Sequence, residues 1–312
     1  MPSSATTVTG YSAPAGFPVL KPWTVLVLFL VMIFAVPLIT VISSVFVPNA
    51  EIWRHLRETV LADYITNSLL LMFGVGVITL LIGVITAWLV TMFRFPGSRQ
   101  FEWALLLPMS IPAYIIAYTY TGVLDVGGPL QIWIREYFGI GYGDYWFPEI
   151  RSLGGAVCML SLVLYPYVYL LTRAAFVEQS VCVLEVSRTL GCGPLRSFYR
   201  IGIALARPAI IVGLSLVLME TLADYGTVQY FGVATFTTGI FRTWFGLGDS
   251  VAAAQLSALM MFFVIILLYL EYHSRHRSRF HHTSTRYRNI RKLPLTGSSA
   301  WLATFVCALP VL

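Results

Sequence analysis

The sequence predicts an all-α integral membrane protein: a polytopic helical bundle of about six transmembrane helices plus the start of a seventh. Composition gives the class. Hydrophobic residues are 58% of the 312 and charged residues 11%, with a mean hydropathy of +0.79, whereas a soluble domain carries roughly 25% charged residues. Apolar runs near 22–47, 68–93, 101–124, 153–172, 203–224 and 250–270 each reach the roughly 20 residues that cross a hydrocarbon core. Lipid offers no partner to backbone polar groups, so such runs span as helices.

The charges sort by loop. Arg94 and Arg99 follow the second run, and Arg173, Arg188, Arg196 and Arg200 follow the fourth. Arg275, Arg277, Arg279, Arg286, Arg288, Arg291 and Lys292 follow the sixth. The alternate loops mix Arg54, Arg57, Arg135, Arg151 and Arg242 with acids such as Glu51, Glu58, Asp125, Asp144 and Asp249. This positive-inside bias places the N-terminus in the cytosol. It also accounts for the net charge of +6 as topology, with no nucleic-acid partner implied.

In chain order, residues 1–21 are rich in Ser, Thr, Pro and Gly and read as a disordered cytosolic lead. The next run is too long for the apolar region of a signal peptide, and Pro37 within it is tolerable in a bilayer helix. Residues 22–271 form the six-span unit. Gly83 and Ala87 of the second span have the small-xxx-small spacing that lets helices approach. Cys158 and Cys307 read as packing residues and Cys182 and Cys192 as free thiols, since their spacing matches no metal motif. Residues 272–298 are a basic linker with His273, His276, His281 and His282, read as solvated, with metal sensing as the alternative. From 299 to 312 a fresh apolar run begins. Its likeness to Leu26–Leu38, each with a proline near its end, suggests a second, duplicated half truncated at its first helix, with an interfacial segment as the alternative.

The loop between the fourth and fifth spans, 174–200, is the most informative segment. Residues 174–184 lack helix breakers, and Glu185-Val186-Ser187-Arg188-Thr189-Leu190 continues with Val186 and Leu190 on one stripe. Gly191 and Gly193-Pro194 end that helix. A short helix held crosswise between two spans is suited to transmit a push from another protein.

Glu185, Gly191 and Ile201 match the spacing Glu-x5-Gly-x9-Ile. The loop resembles the Glu-Ala-Ala signature of binding-protein-dependent ABC-transporter permeases. It departs from that signature at Val186 and Ser187, which replace the alanines, and at Ile203-Ala204, which replace Leu-Pro, with Pro208 a turn later. Asn67-Ser68-Leu69 agrees with the same family, and the stretch from Glu220 through Ala252-Ala253-Ala254-Gln255-Leu256 is similar to its ferric-iron branch, whose permeases are typically two fused halves. The resemblance implies an importer in the bacterial inner (plasma) membrane. Its implied partners are a cytosolic ABC ATPase dimer, an extracytoplasmic solute-binding protein and a second permease half, fused or separate. It also implies that ATP-Mg binds the partner ATPase, with no cofactor and no catalytic residue on this chain. The sequence contains no Gly-x4-Gly-Lys-Ser/Thr phosphate loop. Glu185, Ser187, Gly191 and Ile201 are the implied ATPase-coupling residues.

Four residues are candidates for the solute path. Glu220 and Asp224 lie four apart near the outer end of the fifth span, and intramembrane carboxylates face the bundle interior or water. Helix-end hydrogen bonding, or pairing with Arg242, is the structural alternative. Tyr114 and Tyr118 in the third span offer phenol oxygens or, alternatively, aromatic packing. Ferric iron suits hard oxygen ligands. Thiamine, phosphonate or another anion is the alternative cargo, and an ion-coupled secondary transporter is the rival mechanism.

Overall fold

The computed structural model describes residues 22–178, 193, 196, 198–276 and 292–311. Helix α1, Pro22–Ser44, is apolar on every side and contains Pro37. The short amphipathic α2, Ala50–Thr59, leads into α3, Leu61–Met92, the longest helix described. Strand β1, Phe93–Arg94, precedes α4, Ser98–Ala104, a 3-10 turn at Leu107–Ser110, α5, Ala113–Leu124, and α6, Pro129–Phe138. Then follow α7, Leu153–Glu178, a π turn at Phe198–Gly202, and α8, Ile203–Ala223. Two short helices, α9 (Gly226–Tyr230) and α10 (Phe236–Phe241), lead to α11, Ser250–His276. Strand β2, Leu293–Pro294, and α12, Ser298–Ala308, close the described chain.

Among the described residues five helices are long and apolar enough to cross a bilayer, so the protein is a multi-pass, all-α membrane bundle. The third predicted span, 101–124, is not one straight helix. Its limbs Ser98–Ser110 and Ala113–Phe138 meet at 94°. Pro108 and Pro112 explain the break, because each lacks an N–H and disfavours helical geometry in the residue before it. Ile111 is accordingly extended, with φ −111° and ψ 126°. The second span starts earlier than the apolar run at 68 suggested, and the fifth begins in the π turn at Phe198. Asn67 and Ser68 therefore lie inside α3. There the Asn67 amide donates to Ala234 O at 3.0 Å, and Ser68 Oγ accepts from Phe236 N at 3.2 Å.

The core is the trio α3, α7 and α8. Val168 of α7 is fully buried between two glycines. A Cβ added at Gly83 of α3 would lie 2.8 Å from Val168 Cβ, and one at Gly213 of α8 would lie 2.9 Å from Val168 Cα. Three helices thus meet at contacts only glycine permits, and small residues are what let helices pack this closely in a bilayer. Ala87 is buried one turn beyond Gly83.

At one end of the bundle, α1 is tied to α11 by polar groups. The buried Gln255 amide donates to Ser44 O at 2.9 Å and Val47 O at 2.8 Å, and its oxygen accepts from Trp53 Nε1. Beside it Asn49 Nδ2 donates to Asp249 Oδ2 at 2.9 Å, while Asp249 Oδ1 caps α11 through Ala252 N at 2.7 Å. At the other end β1 and β2 pair in parallel, Phe93 opposite Leu293. Glu102 of α4 bridges Arg173 at 2.8 Å and Lys292 at 2.7 Å. Helix α12 lies against α3 and α4 with Ala300, Ala303 and Cys307 buried. Cys158, by contrast, is on the surface of α7.

Candidate translocation site

Helix α8 ends at Ala223, and Asp224 is extended, with φ −64° and ψ 129°. Asp224 therefore does not continue the helical face of Glu220, as four-residue spacing within one span would require. Its carboxylate accepts from Thr227 Oγ1 and Val228 N, both at 3.1 Å, and thereby starts α9. Its carbonyl accepts from Thr237 Oγ1 at 2.7 Å. Among the described residues neither acid forms an ion pair with Arg242.

Glu220 and Asp224 nevertheless share one cavity of about 260 Å³. Met109, Ile111, Pro112 and Ala113 of the bent third segment form one wall; Leu160, Val163, Leu164 and Tyr167 of α7 form another. Tyr167 in the middle of α7 and Glu220 and Asp224 at the end of α8 supply the polar side chains, with no Lys, Arg or His among the lining residues. Tyr167 is the residue that sequence reasoning missed. It belongs to the run Tyr165-Pro166-Tyr167-Val168-Tyr169, in which Tyr165 and Tyr169 are fully buried and Tyr167 is half-buried. A tyrosine half a turn from two core tyrosines was the available signal.

Tyr114 and Tyr118 are not among the residues lining this cavity. Both pack on Tyr230 of α9, with ring centroids 5.7 Å and 5.9 Å away, and the Arg151 guanidinium sits 5.3 Å over the same ring. The structure thus brings the two acids together and holds the two tyrosines in a neighbouring aromatic cluster. Among the described residues no group of three or more His, Cys, Asp or Glu gathers as a metal cage.

Of the proposed coupling residues, Glu185, Ser187 and Gly191 lie outside the described residues, as do His281 and His282. Ile201 is half-buried in the π turn that opens the fifth span. Both borders of the coupling segment rest on one side chain. Phe176 lies 5.2 Å and Phe198 4.9 Å, ring centroid to ring centroid, from Trp88 of α3. Gly202 makes room for that indole, since a Cβ there would fall 2.7 Å from Trp88 Cζ3.

No protein-family model matches the chain. It is 27% identical over 223 residues to the Fe(3+)-transport system permease protein FbpB 2 of Haemophilus influenzae, a match covering 72% of this chain and 40% of that protein. It is also 27% identical over 213 residues to the probable sulfate transport system permease protein cysT of Chlorokybus atmophyticus, covering 66% of this chain and 70% of that one. The chain therefore spans well under half the length of the ferric relative. Among solved structures, it superposes on a chain of a bacterial ABC transporter involved in the import of the acidic polysaccharide alginate with a TM-score of 0.62, at 14% identity, over 82% of this chain and 95% of that one. The helical architecture and the sequence likeness agree: the chain is similar to permease proteins of more than one transport system and shares its fold with a membrane chain of an ABC transporter.

Proposed function

We propose that this chain is a membrane-spanning translocation unit of an ATP-driven importer. A partner ATPase dimer acts on the segment 174–200, an extracytoplasmic binding protein delivers solute to the opposite face, and a second six-span half completes the path. In this reading the N-terminus is cytosolic, the membrane is the bacterial inner membrane, and the apolar helix α12 belongs to the second half. The observation that carries the proposal is the Trp88 clamp. Both borders of the coupling segment press on one indole of the central helix α3, so a push on the segment reaches the core as a rigid-body displacement. Glu185, Ser187 and Gly191 would face the ATPase, with Ile201 anchoring the return into the membrane.

Ferric iron is the cargo favoured by the cavity, whose polar lining is Glu220, Asp224 and Tyr167 without a cationic side chain. Carboxylate and phenol oxygens suit a hard cation, and the carboxylates repel an oxyanion. An oxyanion is the second reading, favoured by the comparable likeness to the sulfate permease. The test is ATP-dependent uptake of radiolabelled ferric iron or sulfate into proteoliposomes containing the complete transporter, beside Gly191→Pro. The expected result is iron uptake that Gly191→Pro abolishes while ATP hydrolysis persists. Sulfate uptake in place of iron would transfer the cargo to the second reading. Full uptake by Gly191→Pro would remove the coupling role.

A further inference from the structure

Helix α6 has its polarity inside out. A helix on a water-facing surface turns apolar residues inward and polar ones outward. In α6 the side chain of Gln131 is only 6% exposed, whereas Trp133, Tyr137 and Phe138 are 56%, 70% and 64% exposed. The inward polar groups are satisfied by the protein itself. Gln131 Nε2 donates to Leu124 O at 2.8 Å, and Tyr145 OH donates to Gln131 Oε1 at 2.8 Å. Arg135 donates through Nη2 to Val126 O at 2.8 Å and through Nη1 to Tyr145 OH at 3.3 Å. These bonds fix the rotation of the helix, so its aromatic face cannot roll into the bundle. On that face Trp133 and Tyr137 stack at 5.3 Å with an interplanar angle of 19°.

We infer that α6 is an interfacial anchor, lying in the headgroup boundary of the bilayer with Trp133, Tyr137 and Phe138 inserted among the lipids. Two considerations select lipid as the occupant, in a chain whose described residues include five helices long and apolar enough to cross a bilayer. Trp and Tyr are the side chains enriched at this depth, where an apolar ring meets a polar edge. A docking face for a soluble protein, by contrast, would leave the aromatic patch in water between encounters. Glu136, exposed beside it, extends its carboxylate to the water side of the boundary.

The test places nitroxide labels singly at Leu130, Trp133, Glu136 and Tyr137 through cysteine substitution. The background is the complete transporter in liposomes, with its native cysteines replaced by alanine and ATP-dependent transport retained. Power saturation then compares collision with oxygen, which concentrates in lipid, and with a water-soluble nickel chelate. Phe73 of α3, exposed on a spanning helix, and Asp144 in the loop serve as lipid and water references. The expected result is oxygen access at 130, 133 and 137 close to the Phe73 reference, with chelate access several-fold higher at 136. Chelate access throughout α6 would overturn the inference, and shielding of 133 and 137 from both reagents would overturn it in favour of a protein occupant.

Discussion

Adding one methyl group at Gly83 tests the core directly. In Gly83→Ala the new Cβ would meet Val168 Cβ at 2.8 Å and the backbone nitrogen of Tyr169 at 2.9 Å. Ordinary contacts between carbon atoms lie near 3.5–4.0 Å. Val168 has no room to retreat, because α8 presses on its other side, where Gly213 is already the smallest residue available. The backbone of α7 must therefore shift. Overpacking of this kind costs about 1–3 kcal/mol, and alanine's advantage over glycine within a helix returns only about 0.5–1 kcal/mol. By the scaling of roughly 2–4 °C per kcal/mol for a domain of this size, Tm falls by several degrees. The assay is thermal unfolding in detergent, followed by tryptophan fluorescence and by loss of the monodisperse peak in gel filtration. Gly122→Ala is the control. Beyond the backbone of its own helix, no atom lies within 4 Å of a new Cβ, so its Tm stays level or rises. The double variant Gly83→Ala with Val168→Ala should lose less than the sum of the two single changes, as residues in contact do. A Gly83→Ala protein as stable as Gly122→Ala would refute the close three-helix contact.

Three further outcomes follow from the polar ties. Glu102→Gln removes both ion pairs of a carboxylate only partly shielded from water and should cost about 1–2 kcal/mol, between the exposed and buried limits; faster proteolysis around residues 292–298 would report the release, and unchanged cleavage would refute it. Gln255→Leu strands the carbonyls of Ser44 and Val47 and the indole N–H of Trp53, at about 1–3 kcal/mol, and spin-label distances between α1 and α11 should broaden. Asp249 is held below the usual carboxylate range first by the Ala252 N–H and then by the Asn49 amide. Because its folded pKa is depressed, the stability it contributes is present above the ordinary aspartate value of about 4 and is lost as pH falls through the folded value. Asp249→Asn should flatten that acid limb of the Tm-versus-pH curve, and a limb identical to wild type would exclude Asp249 as its source.

Hydrophobic run length located the straight helices because a span's length is set by the bilayer and its interior needs no polar code. It misjudged the third segment because hydropathy does not register proline geometry: Pro108 and Pro112 sit in an unbroken apolar run but bend the backbone. Residues at and before the edge of the second run were also absorbed. Asn67 and Ser68 entered α3 because their side chains find Ala234 and Phe236 across 167 and 168 positions of sequence, a pairing that no local pattern displays. Of the candidate site, the acids Glu220 and Asp224 were legible as ionisable groups in apolar surroundings. Their separation onto a helix end and a cap was not, because helix termination at Ala223 depends on the Asp224–Thr227–Thr237 contacts. Tyr114 and Tyr118 were readable as aromatic, but their partner Tyr230 lies more than a hundred residues away. The inverted polarity of α6 was equally hidden, since its sequence alternation is the same whichever face turns inward.

The glycine contacts at Val168 also divide the molecule mechanically. With α3, α7 and α8 touching backbone to side chain at a single level, these helices behave as one keystone that can tilt but cannot slide apart. Two walls of the cavity, α7 and the end of α8, belong to that keystone. The remaining wall, Met109 to Ala113, is the proline elbow of the third segment, which is tethered by neither glycine. Under the proposed transport role, a compartment that opens around Glu220 and Asp224 would open at the elbow, with the keystone as the frame.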